Sequence, residues 1–104
     1  MKNNYVKLIG KIDEDFSIER TKDLEKFCRF SLLVKEQTFH EPKRYYDVKH
    51  KIIAWRQLAD FCDNKLNKGQ KIELIGKLKK RSYKDENKEW RQIYQIEAEK
   101  ISLN

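Results

Sequence analysis

The feature that most constrains this sequence is the recurrence of apolar residues at every second position. The clearest example is the segment 28–35, in which Cys28, Phe30, Leu32 and Val34 alternate with residues that are mostly polar. Alternation of this kind places one face of a β-strand in a core and the other face in solvent. Five strands are predicted in this way, at 5–12, 28–35, 48–55, 72–83 and 90–98. A short extended piece at 16–19 is interpreted as a continuation of the first strand.

Only one segment of the chain changes to helical spacing. In the segment 56–66 the apolar residues recur three and four positions apart, and the segment ends at Asn67-Lys68-Gly69. Glycine after the last periodic residue is a common way to end a helix. The sequence therefore predicts one helix, between the third and the fourth strand.

Two glycines, Gly10 and Gly76, lie inside predicted strands, where they indicate a sharp bend or a close approach of two backbones. A change of alternation near Glu99-Lys100 predicts a β-bulge in the last strand. Five strands with one helix between the third and fourth describe an all-β fold, the OB-type Greek-key barrel. The whole chain, 1–104, is interpreted as one such domain, and an antiparallel α+β sheet is the alternative.

The net charge of +7 is concentrated in one part of the chain. Residues 65–84 contain eight lysines and arginines against the single acid Glu73, and the remainder is balanced. A concentrated positive segment is typical of proteins that bind a phosphate backbone, although a solvated lysine-rich face is the alternative. The sequence has no apolar run of the roughly 20 residues needed to cross a bilayer, and no signal peptide is recognisable, so we expect a cytoplasmic protein without a membrane partner.

No catalytic or metal-binding motif is found. The sequence contains no dinucleotide or phosphate loop, no HExxH and no nucleophile at a recognisable distance from His50. Cys28, Cys62 and the two histidines do not form the close pairs that zinc sites use, and the cysteines are expected to be reduced structural thiols. We therefore expect a binding protein that is not an enzyme, with no metal, cofactor or small-molecule substrate.

Aromatic residues stand beside lysines and arginines on the predicted outer strand faces. Binding of a single strand without sequence preference needs cations for the phosphates and flat rings that accept any base. The candidate stacking residues from this pattern are Trp55, Tyr83 and Trp90, with Trp90 expected opposite Tyr83 across a hairpin. The candidate phosphate contacts are Lys49, Lys51, Lys77, Lys79, Arg81 and Lys84.

Three stretches carry a resemblance to a known family: Val6-Lys7-Leu8-Ile9-Gly10-Lys11-Ile12, His50-Lys51-Ile52-Ile53-Ala54-Trp55, and the run from Lys68-Gly69-Gln70 to Gly76 and Tyr83. In order and spacing they resemble the bacterial single-stranded DNA-binding proteins. The resemblance implies an OB fold and a homotetramer, and a dimer is the alternative. It also implies coating of single-stranded DNA, without sequence preference, in replication, recombination or repair, and an association with the bacterial nucleoid.

The resemblance also assigns roles to individual residues. Trp55 and Tyr83 fall where the family has stacking aromatics, and Phe39 lies near the position of another stacking ring. Lys49 stands where the family has a tryptophan. His50 matches a histidine at a subunit interface, so Val48, His50 and Ile52 are predicted to lie at an oligomer interface.

Two departures from the family pattern bear on function. Asp13-Glu14-Asp15 replaces the usual glycine and proline after the first strand, and the sequence resembles a short form without the flexible linker and acidic tip that recruit other enzymes. Two other functions are left open: a dimeric primosomal OB protein that contacts a helicase, and an RNA-binding OB domain.

Overall fold

A computed structural model describes residues 2–104, which form six strands and one helix. The helix α1 spans Gln57–Lys65 and is the only helix in this range. It is too short and too polar to cross a membrane. The strands are β1 (Val6–Ile12), β2 (Ser17–Arg20), β3 (Lys26–Gln37), β4 (Tyr45–Trp55), β5 (Lys71–Lys84) and β6 (Trp90–Leu103).

The strands close into a barrel. Neighbouring strands follow the order β1-β5-β6-β4-β3-β2, and β1 also pairs with β3 at Lys11–Leu33 and Ile12–Leu32. The short strand β2 continues the path of β1 and pairs only with β3, so the barrel itself has five strands. The predicted OB-type Greek-key barrel is confirmed, and the open α+β sheet is excluded because β1 joins the two ends of the sheet.

Both strand glycines lie where two backbones touch. A Cβ at Gly10 would collide with the carbonyl oxygen of Leu33, and a Cβ at Gly76 would collide with that of Glu97. The register of β5 and β6 changes at this place, from Ile75–Lys100 to Gly76–Ala98, so that Glu99 is the extra residue of a bulge. The predicted close approaches and the predicted bulge are therefore confirmed, and they lie at the barrel's corners.

The core fills the barrel and is closed by the helix. Its largest fully buried side chains are Ile12, Leu32, Ile72, Leu74, Cys28 and Cys62. Ala59 and Cys62 are the buried residues of α1, which is how the helix covers one end. Both cysteines are free, and a hydrogen bond with Cys62 together with burial raises the pKa of the Cys28 thiol, so this side chain remains a neutral core residue.

Two hairpins project beyond the barrel. We call residues 35–47 the β3–β4 arm and residues 77–97 the β5–β6 arm, and most of their side chains are exposed. Leu78, which continues the inward alternation of Ile72 and Leu74 in the sequence, is 45% exposed because β5 has already left the barrel at this point. Ile53, which alternation places on the outer face of β4 with Lys49 and Lys51, is buried between neighbours on β3 and β6. The strand assignments are right, but simple alternation fails where strands leave the barrel or cross another strand.

Candidate nucleic-acid interface

A groove lies between the β5–β6 arm and the outer face of β3 and β4. Its volume is about 300 Å³, and it is lined by residues from the segment after β1, from β2, from β3 and β4, and from the arm. The charged residues that line it are Asp15, Arg29, Lys51 and Arg81. The groove thus brings three cations from three different strands together around one carboxylate.

Arg29 reaches the groove from β3 and is held by a carboxylate. Its Nε and Nη2 donate hydrogen bonds to Glu19 Oε2 at 2.9 and 2.6 Å, and its guanidinium lies 5.5 Å from the centre of the Phe27 ring. These hydrogen bonds lower the pKa of Glu19 below its usual range. Neither Arg29 nor Phe27 is among the candidates from the sequence, although strand alternation places Arg29 on the polar face of β3.

Lys51 and Lys49 share the outer face of β4 but differ in their surroundings. Lys51 lines the groove beside Ser31 and has no ion-pair partner within residues 2–104. Lys49 Nζ lies 3.1 Å from Asp13 Oδ2, and the hydrogen bond from this ammonium to Asp13 raises the pKa of Lys49. A phosphate would find Lys51 available, whereas at Lys49 it would compete with Asp13.

The floor of the groove is fixed by Asp15 and the buried Ser31. The carboxylate accepts hydrogen bonds from the backbone N–H of Ser31 at 2.8 Å and from its hydroxyl at 2.6 Å. Partial burial raises the pKa of Asp15, but these hydrogen bonds outweigh it and lower the pKa below its ordinary value. The segment after β1, which is acidic instead of the family's glycine and proline, is therefore attached to the groove.

Trp55 stands at the end of the same β4 face. Its ring centre lies 5.1 Å from that of Phe27, its Cα partner on β3, and the side chain is half-buried. Four residues along a strand separate it from Lys51, which corresponds to about 13 Å. The predicted pairing of this ring with basic residues on one strand face is therefore present, with Phe27 as a second ring beside it.

The arm contributes a row of cations on the side that faces the groove. Alternation and register place Lys77, Lys79, Arg81 and Tyr83 on this side, opposite Glu97, Gln95, Ile93 and Arg91. Arg81 lines the groove, Lys79 lies 3.9 Å from Glu97, and the ring of Tyr83 is exposed. The predicted combination of three cations and one ring thus shares one face.

Trp90 does not lie where the sequence analysis placed it. The register pairs Trp90 with Lys84 and pairs Tyr83 with Arg91, so Trp90 and Tyr83 point to opposite faces of the arm. Lys84 Nζ lies 5.2 Å from the centre of the Trp90 ring. The expected position opposite Tyr83 is wrong by one residue, and Trp90 and Lys84 lie together on the face that points away from the groove.

The remaining candidates are separate from the groove. Phe39 lies at the tip of the β3–β4 arm, is 89% exposed and meets His40 edge-on. Val48 and His50 are half-buried, whereas Ile52 is 2% exposed and belongs to the barrel core, so its side chain is not available to a second copy. The predicted interface role of Ile52 is therefore wrong, because alternation along β4 directs its side chain into the barrel core.

The positive segment 65–84 is also divided in space. Lys71 lies at the start of β5 and Lys84 at its end, about 43 Å apart along a single strand. Lys71 lines a different surface depression, with Ile9 and Leu33. Only the second half of the segment therefore reaches the groove. Within residues 2–104 no three histidine, cysteine or acidic side chains are placed to hold a metal ion.

The closed barrel, the position of its helix and the groove beside its β3–β4 face define the protein as an OB-fold domain. Comparison with known proteins then gives the family. The model of the Single-strand binding protein family matches residues 3–104, and the chain belongs to that family. The resemblance stated from the sequence is confirmed, and membership of this family of binding proteins agrees with the expectation that the chain is not an enzyme.

Individual relatives support the assignment. The chain is 30% identical over 93 residues to the single-stranded DNA-binding protein of Caldanaerobacter subterraneus subsp. tengcongensis, covering 84% of this chain and 59% of that protein. It is 33% identical over 88 residues to single-stranded DNA-binding protein 1 of Chlorobaculum tepidum, covering 82% of this chain and 53% of that protein. The chain therefore spans little more than half the length of these relatives.

A solved structure shows the same fold. The structure of Plasmodium falciparum SSB in complex with ssDNA superposes with a TM-score of 0.81 at 24% identity, covering 93% of this chain and 87% of that chain. At this identity the similarity concerns the fold.

Proposed function

We propose that this chain binds single-stranded DNA without sequence preference and coats and protects it during replication, recombination or repair. The observation that carries the proposal is the groove, in which Arg29, Lys51 and Arg81 meet on two facing walls. The two walls provide cations for a phosphate backbone, and Trp55 and Tyr83 offer rings near the ends of the same faces. This combination suits any base, because every base has a flat face.

The relatives support DNA as the ligand. Both bacterial relatives are named for binding single-stranded DNA, and the Plasmodium structure contains ssDNA. We accordingly propose that the chain acts as a single DNA-binding domain. It would bind bacterial DNA in the cytoplasm. An RNA-binding role is the second possibility that an experiment must separate, since stacking and phosphate contacts alone do not distinguish the two.

A titration of tryptophan fluorescence with oligo-dT tests the proposal. Trp55 and Trp90 are the only tryptophans, and stacking of a base on either ring should quench its emission. We expect saturable quenching by oligo-dT, weaker competition by poly-U and little competition by duplex DNA. Stronger competition by poly-U would favour the RNA-binding alternative, and no binding of either polymer would refute the proposal.

We also propose self-association into a homotetramer, with a primosomal-type dimer as the alternative. β1 pairs with β3 only at Lys11 and Ile12, so within the described chain residues 6–10 have one free strand edge. Exposed strand edges are usually covered by another element or another subunit. Val48 and His50 remain the proposed interface residues on β4. Light scattering should give four times the 12.7 kDa chain mass, a dimer would favour the alternative, and a monomer at micromolar concentration would refute both.

A further inference from the structure

The β5–β6 arm has a second face, which points away from the groove. We call it the outer face; its exposed cross-strand pairs are Lys80–Tyr94, Ser82–Gln92 and Lys84–Trp90, and the pair Leu78–Ile96 joins it to the barrel, where Ile96 is a core residue. Trp90 is 69% exposed and Tyr94 is 59% exposed. Rings of this size are normally buried, and two of them on one open strand face require an explanation.

The outer face carries cations and rings but no carboxylate. Lys80 stands opposite Tyr94, and Lys84 stands opposite Trp90 with its Nζ 5.2 Å from the ring centre. The groove side of the arm, by contrast, includes Glu97. A polyanion that carries flat bases complements this pattern, since each protein ring has a cation beside it.

The rings lie in a row on one strand. Trp90 and Tyr94 are four residues apart on β6, which places them on the same side and about 13 Å apart. Single-strand binding surfaces use rows of this kind, in which successive bases stack on rings and lysines contact the phosphates.

The arm leaves room for a strand to pass from one face to the other. Beyond the barrel, β5 pairs with β1 only up to Gly76, and β6 pairs with β4 only at Ile96 and Glu97. Between residues 79 and 95 the described arm is therefore two strands wide with both long edges free. Neighbouring strands are only about 4.8 Å apart.

The tip of the arm is closed by hydrogen bonds. Asp85 accepts hydrogen bonds from the backbone N–H groups of Asn87 and Glu89 and from the Arg91 guanidinium, at 2.8 to 3.0 Å. At the root, the Asn4 side chain bonds both the N–H and the carbonyl oxygen of Leu78. Both faces are thus presented by a hairpin that is fixed at its two ends.

We infer that a single strand held in the groove continues around the β5–β6 arm and stacks on Tyr94 and Trp90 of the outer face, with Lys80 and Lys84 at its phosphates. This inference rests on the proposed function and extends it to a second binding surface.

The two tryptophans make the two surfaces separately observable. Trp55→Phe leaves Trp90 as the only tryptophan, on the outer face, and Trp90→Phe leaves Trp55, on the groove face. Each variant is titrated with oligo-dT of about 5 and about 16 nucleotides, lengths near the two ends of the range that one OB fold occupies. We expect the short oligomer to quench Trp55 alone and the long one to quench both tryptophans with the same midpoint.

Alanine variants test the same inference by affinity. Trp90→Ala and Tyr94→Ala should weaken binding of the long oligomer by at least about fivefold and leave the short oligomer unaffected. Leu103→Ala is the matched control, because Leu103 is an exposed apolar residue at the opposite end of the same strand. The melting temperature of each variant shows that it is folded.

Three results would overturn the inference. If the long oligomer quenches Trp55 but not Trp90, the outer face is not used, although the proposed function stands. If the short oligomer quenches both equally, the two faces bind independently and no strand continues around the arm. If neither oligomer binds the parent protein, the proposed function itself fails.

Discussion

The two arms are built alike and differ in charge. Each is a hairpin that projects from the barrel with exposed aromatic residues, Phe39, Tyr45 and Tyr46 on one and Tyr83, Trp90 and Tyr94 on the other. The β3–β4 arm has three basic and three acidic residues, whereas the β5–β6 arm has seven basic and four acidic residues. Exposed rings are therefore common to both arms, and only the excess of cations distinguishes the arm that forms a groove wall.

The two arms also differ in where their acidic residues lie. In the β5–β6 arm three of the four acids lie in the turn between the strands, and Asp85 is engaged there by Arg91, whose hydrogen bond lowers the pKa of the carboxyl. The only acidic residue in the strands of this arm is Glu97, which lies 3.9 Å from Lys79. In the β3–β4 arm Glu36 and Asp47 lie in the strands, so the strands of this arm carry acidic as well as basic residues.

The largest effect is expected from removing the charge of one arm. Replacing Lys77, Lys79 and Arg81 together by glutamine should reduce the slope of log K against log salt by about 2, at about 0.7 per phosphate contact. Near 0.1 M salt this corresponds to roughly 100-fold weaker binding of oligo-dT. Fluorescence titrations at several salt concentrations measure both quantities.

The matched control is the other arm. Replacement of Lys35, Lys43 and Arg44 by glutamine removes the same charge from the β3–β4 arm and should change the slope little. Equal losses from the two triple variants would show that net charge, and not the groove, governs binding.

The next largest effect is on stability and concerns Gly76, where the β5–β6 arm leaves the barrel. Gly76→Ala places a methyl group against the carbonyl oxygen of Glu97, where β5 passes into the arm. Because backbone atoms must move, we expect a loss of about 1–3 kcal/mol in the free energy of unfolding. Urea denaturation measures it, and Gly69→Ala, at a turn with open space but positive φ, separates steric collision from backbone strain. An unchanged stability of Gly76→Ala would contradict the close packing at this corner.

A comparable effect on binding is expected from the rings. Trp55→Ala and Tyr83→Ala should each cost about 1–3 kcal/mol of binding energy while leaving the salt slope nearly unchanged. Phe39→Ala should cost less, because Phe39 lies at the tip of the β3–β4 arm, whose basic and acidic residues balance. The stacking assignment fails if Trp55→Ala and Tyr83→Ala are folded and bind oligo-dT like the parent at every salt concentration.

The smallest expected effect is an increase in affinity for oligo-dT. Glu19→Gln removes the carboxylate that holds Arg29, so that the guanidinium is free to contact a phosphate. We expect the salt slope to become steeper by about 0.7, or roughly fivefold tighter binding near 0.1 M salt. Glu25→Gln, which removes the partner of Arg56 outside the groove, is the control and should have no such effect. Weaker binding by Glu19→Gln would mean that Glu19 positions Arg29 for the strand.

The spacing of apolar residues was sufficient to predict the strands and the helix, because burial on one face controls the sequence of each element. The order of these elements and the two strand glycines then predicted the barrel. Parity also placed Lys51 and Arg81 on the faces that form the groove. It could not place Trp90, because the register of a hairpin depends on its turn, here set by the hydrogen bonds of Asp85. Nor could it find the Glu19–Arg29 and Asp13–Lys49 pairs, because alternation gives the face on which a side chain lies and not the residue of another segment that it meets.

Those two ion pairs bear on how fast a bound strand could leave. When a phosphate departs, Glu19 and Asp13 are within reach of the vacated cations, so the exposed charges regain partners at once and the barrier to release is lowered. Under the proposed function, the chain would then exchange one stretch of DNA for the next in small steps, as proteins do when they slide along nucleic acid. The two carboxylates would thus weaken the complex at equilibrium and at the same time speed the release of DNA. Fast release suits a protein that coats DNA, because it must be displaced by the enzymes that act on the same strand.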